Sequence, residues 1–113
     1  MYINGFVVPV PEGGKEAYLR LAEKMWEMAR DYGAIEQVEG WEEDCPEGRL
    51  TDFHRAVRIA QGEKVAFSWI VWPDRATADA GHEKMSLDPR MLEIGEWPFD
   101  GKRMIAGGFS QIF

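Results

Sequence analysis

Tyr2 to Val10 is a run of β-branched and aromatic residues stopped by Pro9, Pro11 and Gly13-Gly14, so the chain opens on a strand. The period then changes. Between Lys15 and Tyr32 the apolar residues Tyr18, Leu21, Ala22, Met25, Ala29 and Tyr32 recur at helical spacing, and Gly33 stands where a C-terminal cap is expected. Such a helix has one apolar face and a charged opposite face. From Ala34 to Asp44, Ile35, Val38 and Trp41 are scattered among Glu36, Glu39, Glu42 and Glu43. That charge suits a strand at a sheet edge, where it discourages unwanted pairing.

"CPEGRLTD" reads as a loop. Phe53 to Ile59 alternates again, "QGE" supplies a turn, and Lys64 to Trp72 is the most apolar strand of the chain, so these two segments are expected to form a hairpin. Pro73 and Asp74 close that strand, with Asp74 as N-cap of a second helix through about Met85. The stretch "SLDPRMLEIGEWPFDG" is irregular, with room for one short helical turn, and Lys102 to Phe113 forms the last strand.

The order β-α-β-(β)-β-α-β predicts an α+β domain over residues 1–113, a ferredoxin-like split βαβ with an antiparallel sheet and two helices on one face. The first strand and Lys64 to Trp72 should lie centrally. In "VAFSWIVW" both alternating sets are apolar: Val65, Phe67, Trp69 and Val71 on one face, Ala66, Ile70 and Trp72 with Ser68 on the other. Two helices cover only one face of a sheet, and a wetted face would show polar alternation. A second subunit pairing sheet to sheet is therefore expected to cover the other face, the alternative being that the segment around Trp97 folds across it.

Composition narrows the partners. A chain of 113 residues makes one core, and five Trp, six Phe and three Tyr make that core or an interface rich in rings. The net charge of −7 argues against nucleic acid and against anionic membrane surfaces. Cys45 is alone among carboxylates in "EEDCPEG", so no intrachain disulfide forms and the thiolate is disfavoured. The start has no basic n-region, and its apolar run is too short for a signal peptide or a membrane span, so a cytoplasmic protein is expected.

The phrases "GFVVPVP", Phe-x-Arg-Ala-Val at Phe53 to Val57, "FSWIVWPDRA", "DPRM" and "PFDGKRMIAGGF" occur in order along nearly the whole chain. Together they resemble the YbaA-like family of uncharacterised small bacterial proteins. The resemblance implies membership of the dimeric α/β-barrel superfamily, whose ferredoxin-like subunits pair through their sheets. It implies no reaction, because fold alone does not fix function.

Familiar catalytic patterns are missing. The sequence has no G-x-S-x-G elbow, no H-E-x-x-H, no Cys/His metal spacing and no glycine-rich phosphate loop, so neither a metal nor a nucleotide cofactor is expected. Three groups of candidates remain. Arg55, Lys102 and Arg103 are suited to a carboxylate-bearing ligand, or else to ion pairs with the acidic edge strand or Asp100. His54, beside Arg55, is a candidate base. Asn4, Trp69 and His82 fall on the elements where haem-degrading monooxygenases of the same superfamily carry an Asn, a Trp and a His, with Trp72 an alternative to Trp69. The leading expectation is a homodimer binding a small aromatic or carboxylate-bearing molecule. A cofactor-independent or haem-linked monooxygenase and a structural subunit without ligand are the alternatives.

Overall fold

The computed structural model describes residues 1–113. Four strands, β1 (Tyr2–Pro11), β2 (Glu36–Trp41), β3 (Glu63–Trp72) and β4 (Ile105–Ser110), form one antiparallel sheet in the order β2-β3-β1-β4. The two most apolar strands take the centre and the two most polar or glycine-rich take the edges, as the sequence predicts. Along β1 and β3 the register runs from Tyr2 opposite Trp72 to Pro11 opposite Glu63, and β4 places Phe109 opposite Ile3 and Ile105 opposite Val7.

The helices α1 (Lys15–Asp31) and α3 (Arg75–Leu87) lie on one face. Each ends or begins for a visible reason. Gly33, at φ +110°, lets the Ala34 N–H reach back to the Ala29 carbonyl at 2.9 Å and close α1. At α3 the Asp74 carboxylate accepts the Thr77 N–H at 2.7 Å, the N-cap that the sequence predicts. A one-turn helix, α4 (Arg90–Glu93), interrupts the irregular stretch that follows. Asp88, between α3 and α4, accepts from the Tyr32 hydroxyl at 2.6 Å and from Arg90 at 2.7 Å, while Arg90 also reaches Asp31 at 2.8 Å. This network ties the segment after α3 to the end of α1, and the bonds from Arg90 and Tyr32 hold the Asp88 carboxyl far below its ordinary range.

The core lies between sheet and helices. Met28 and Ala29 from α1, Ile70 and Trp72 from β3, and Ala78 and Met85 from α3 form its larger part. Trp72 is fully buried and donates its indole N–H to the Asn4 side-chain oxygen at 2.7 Å, so the ring is hidden without an unpaired donor. Gly81 makes room for it: a Cβ there would sit 2.6 Å from the ring. Val8, Val10, Tyr18 and Ala66 form a second cluster nearer the start of α1.

The opposite face carries neither α1 nor α3. Phe67 and Ile105 are each 43% exposed and Phe109 60%, an apolar surface where a solvated sheet would be polar. The Phe109 ring lies over Gly5 and Gly107, 3.6 and 3.2 Å from where their Cβ atoms would stand. Trp97 and Phe99 pack edge to face on the helix side of the sheet, so the segment around Trp97 does not cover this surface.

One expected element is replaced. Phe53 to Ile59 is not a strand, and no hairpin joins it to β3. Instead Phe53–Ala56 forms the single-turn helix α2, capped by the Asp52 carboxylate on the Arg55 N–H at 2.7 Å, and Arg58 turns the chain at φ 51°. Both edges of β3 are already occupied, by β1 and β2, so a further strand would have nothing to pair with there. Phe53 still packs on the sheet, edge to face with Phe67 at 6.0 Å.

Candidate functional site

Between the sheet and α1 lies a cavity of about 200 Å³. Its walls are apolar: Phe6 and Val8 from β1, Leu21 and Met25 from α1, and Ile70 from β3. Trp97, Phe99 and Met104, from the segment leading into β4, close its outer side, with Trp97 46% exposed at the rim. Three polar side chains, Tyr18, Glu39 and Ser68, converge on this lining, with Gln37 behind Glu39. The Tyr18 hydroxyl donates to one oxygen of Glu39 at 2.5 Å, the Gln37 amide donates to the other at 2.9 Å, and Ser68 stands opposite Glu39 in the β2–β3 ladder.

Alternation along β2 produces this arrangement. Gln37, Glu39 and Trp41 point towards the helices, and α1 supplies Tyr18 from its first turns. Gln37 is fixed further by donating to the Ala22 carbonyl at 3.0 Å, while its own oxygen is buried without a partner. Burial raises the Glu39 carboxyl above its ordinary range against the opposing bonds from Tyr18, Gln37 and Ser68. Burial, followed by the bond to Glu39 and its charge, pushes the Tyr18 phenol up, so Tyr18 remains a donor at neutral pH. An apolar cavity with a few converging polar groups and a carboxyl of raised pKa is the usual form of a small-molecule site.

None of the residues singled out from sequence lines this cavity. Arg103 forms a two-pronged pair with Glu63 at 2.7 Å and a second pair with Asp100 at 3.0 Å. The Lys102 N–H donates to Asp100, and the Lys102 residue is exposed. Arg55 pairs with Asp52 at 3.0 Å and donates to the Gly48 carbonyl. His54 lies 2.8 Å from Glu42, whose other oxygen accepts the Val65 N–H at 2.9 Å. Burial works against ionisation of Glu42, but the Val65 N–H and the His54 ring hold its carboxyl below the usual value.

Asn4, Trp69 and His82 are not brought together. Asn4 lies opposite Ile70 and faces the helices, whereas Trp69 lies opposite Gly5 on the open face, beside Phe67 at 5.7 Å. Trp72 takes the place left for it: it bonds to Asn4, and its ring meets the exposed His82 edge to face at 5.4 Å. The Asn4 oxygen is engaged by the indole and Trp72 has no exposed surface, so this pair is packed as core, with His82 on its solvent side.

Sequence reasoning passed over Tyr18, Glu39 and Ser68. The one signal available was Glu39 two residues before Trp41 on an otherwise charged strand, which marks a face with both an apolar and an acidic member.

Fold and site together define a ferredoxin-like α+β protein, and solved structures agree. A dimeric ferredoxin-like protein of unknown function from Jannaschia sp. CCS1 superposes with a TM-score of 0.58 at 13% identity, covering 98% of this chain and 100% of its own. An uncharacterised NIPSNAP domain protein from Burkholderia xenovorans gives 0.52 at 12% identity, over 98% of this chain and 94% of its own. The sequence goes further than the fold. The chain belongs to the family described as protein of unknown function (DUF1428), whose model matches residues 1–101. It is 49% identical over 112 residues to the uncharacterised protein YbaA of Escherichia coli strain K12, covering 98% of this chain and 96% of the relative, and equally so to that of Shigella flexneri. No helix is long and apolar enough to cross a membrane.

Proposed function

We propose that the protein is a homodimer that binds a small aromatic molecule in the cavity between the sheet and α1. The observation that carries this reading is the convergence of Tyr18, Glu39 and Ser68 on an otherwise apolar lining. Of the two ligand classes the sequence leaves open, the cavity favours the aromatic one. Its polar end presents a carboxyl, which repels a second carboxylate, and Arg55 and Arg103 are engaged in ion pairs elsewhere. A ring bearing a hydroxyl or amino donor matches it: the ring fills the apolar walls and the donor bonds to Glu39.

The dimer forms through the open sheet face in this reading. Support comes from the exposed Phe67, Ile105 and Phe109 and from the dimeric state of the ferredoxin-like protein from Jannaschia. Native mass spectrometry of the purified protein tests both parts at once, followed by ligand-observed NMR with phenols and anilines. A dimer whose fragment binding is lost in Ile70→Trp, which fills the cavity, supports the proposal. A monomer overturns the dimer, and fragment signals unchanged by the protein overturn the binding role and leave a structural subunit.

A further inference from the structure

We propose that Glu42, Cys45 and His54 form a site for one divalent transition-metal ion of the zinc type, on the loop side of β2 and separate from the cavity. One ligand atom from each of the three lies within 4.8 Å of the others. Zinc bonds of about 2.0–2.3 Å to nitrogen, oxygen and sulfur set tetrahedral ligand atoms about 3.3–3.8 Å apart. The present 2.8 Å between His54 Nε2 and Glu42 Oε2 therefore has to open by only about half an ångström.

Each ligand is held from outside the cluster. Glu42 follows β2 directly and has one oxygen fixed by the Val65 N–H at 2.9 Å, which aims the other, now 2.8 Å from the His54 ring nitrogen, into the cluster. His54 sits in α2, whose start Asp52 caps. Cys45 precedes Pro46, which restricts its backbone to extended conformations. Asp52 itself is occupied by Arg55 and by the N–H of Gly48, so it is outside the ligand set. Asp44 and Asp52 nonetheless add negative potential around the thiol, opposed by Lys64 alone among the nearby cations that act on it. A thiolate with an imidazole selects zinc-like ions over magnesium or calcium, and three protein ligands leave a fourth position for water or a small ligand. The spacing Glu42-x2-Cys45-x8-His54 fits no familiar zinc motif, which is why sequence alone excluded a metal.

The test is titration of the chelator-stripped full chain with Co2+ as a spectroscopic probe, then displacement by Zn2+. The expected result is one ion per chain, with a thiolate-to-cobalt charge-transfer band that zinc abolishes. Cys45→Ser should remove that band, and His54→Gln should weaken zinc by more than the about 10- to 100-fold typical of losing an outer-shell partner. Glu42→Gln, which keeps an acceptor for Val65, should weaken it as well. Melting temperatures of the metal-free variants equal to that of the parent chain show that folding is not what changed. A spectrum lacking the thiolate band, or zinc affinity in Cys45→Ser equal to that of the parent, overturns the site.

Discussion

The two faces of the sheet are built from the same strands by opposite means. On the helix side, every second residue of β3, from Ala66 to Trp72, is buried within its own chain. On the other side the positions are equally apolar, but Phe67 is exposed and Trp69 and Val71 are only half-buried. One face thus obtains its burial from residues nearby in the same chain, and its side chains interlock with Gly81 and Asn4. On the other, the Phe109 ring lies over Gly5 and Gly107, while Phe67 meets Trp69 and Phe53 edge to face, and these rings stay partly exposed. Apolarity in a strand therefore does not by itself say which of its faces the same chain covers.

This contrast can be broken at several points. The largest effect should come from Trp72→Ala on the covered face, which leaves a ring-sized void and an unpaired Asn4 and should cost about 3–5 kcal/mol in urea unfolding. On the open face, Phe67→Glu should leave the subunit folded by circular dichroism while weakening association by about 2 kcal/mol or more, read by sedimentation equilibrium. If both substitutions unfolded the chain alike, the two faces would be energetically equivalent and the contrast would fail.

Glu39→Gln makes a smaller test, by pH. Because the folded state raises the Glu39 pKa, it binds that proton more tightly than the unfolded chain does. Its stabilising contribution is full below the ordinary carboxylate pKa and is lost as pH rises through the raised value. The stability of Glu39→Gln relative to the parent should therefore improve from about pH 4 to about pH 7, whatever constant offset its altered hydrogen bonds introduce. A flat difference would show that burial does not perturb this carboxyl. Smallest is Arg75→Ala, on neither face, which breaks an exposed pair with Asp79 at 3.6 Å and should cost about 0.3–0.5 kcal/mol, less in high salt.

How far the chain could be read follows from the range of the interactions involved. β1, α1, β3 and α3 were legible because each has an apolar period and a local boundary signal: Gly33 ends one helix, Asp74 begins the other. Phe53 to Ile59 misled because its alternation matches a half-buried strand, while the fact that excludes one, a sheet position already filled, lies in other segments. The same holds for the sites. Glu39 resembles any charge on an edge strand until Tyr18 arrives from α1, 21 residues away in sequence. Asn4 and Trp69 could be assigned to strands but not to faces, since the pairing of Gly5 with Trp69 depends on register between segments 64 residues apart.

The strand order has a consequence for how the protein is made. Synthesis delivers β1 first, yet β1 is central, and its two neighbours are β3 and β4, the last strand to emerge. Until Ser110 has left the ribosome, the earliest strand keeps one bare edge of N–H and C=O groups beside an apolar surface. Such an edge pairs readily with strands of other chains. The nascent protein thus stays open to such pairing even after β3 has docked, and the six residues of β4 that close the sheet end that exposure.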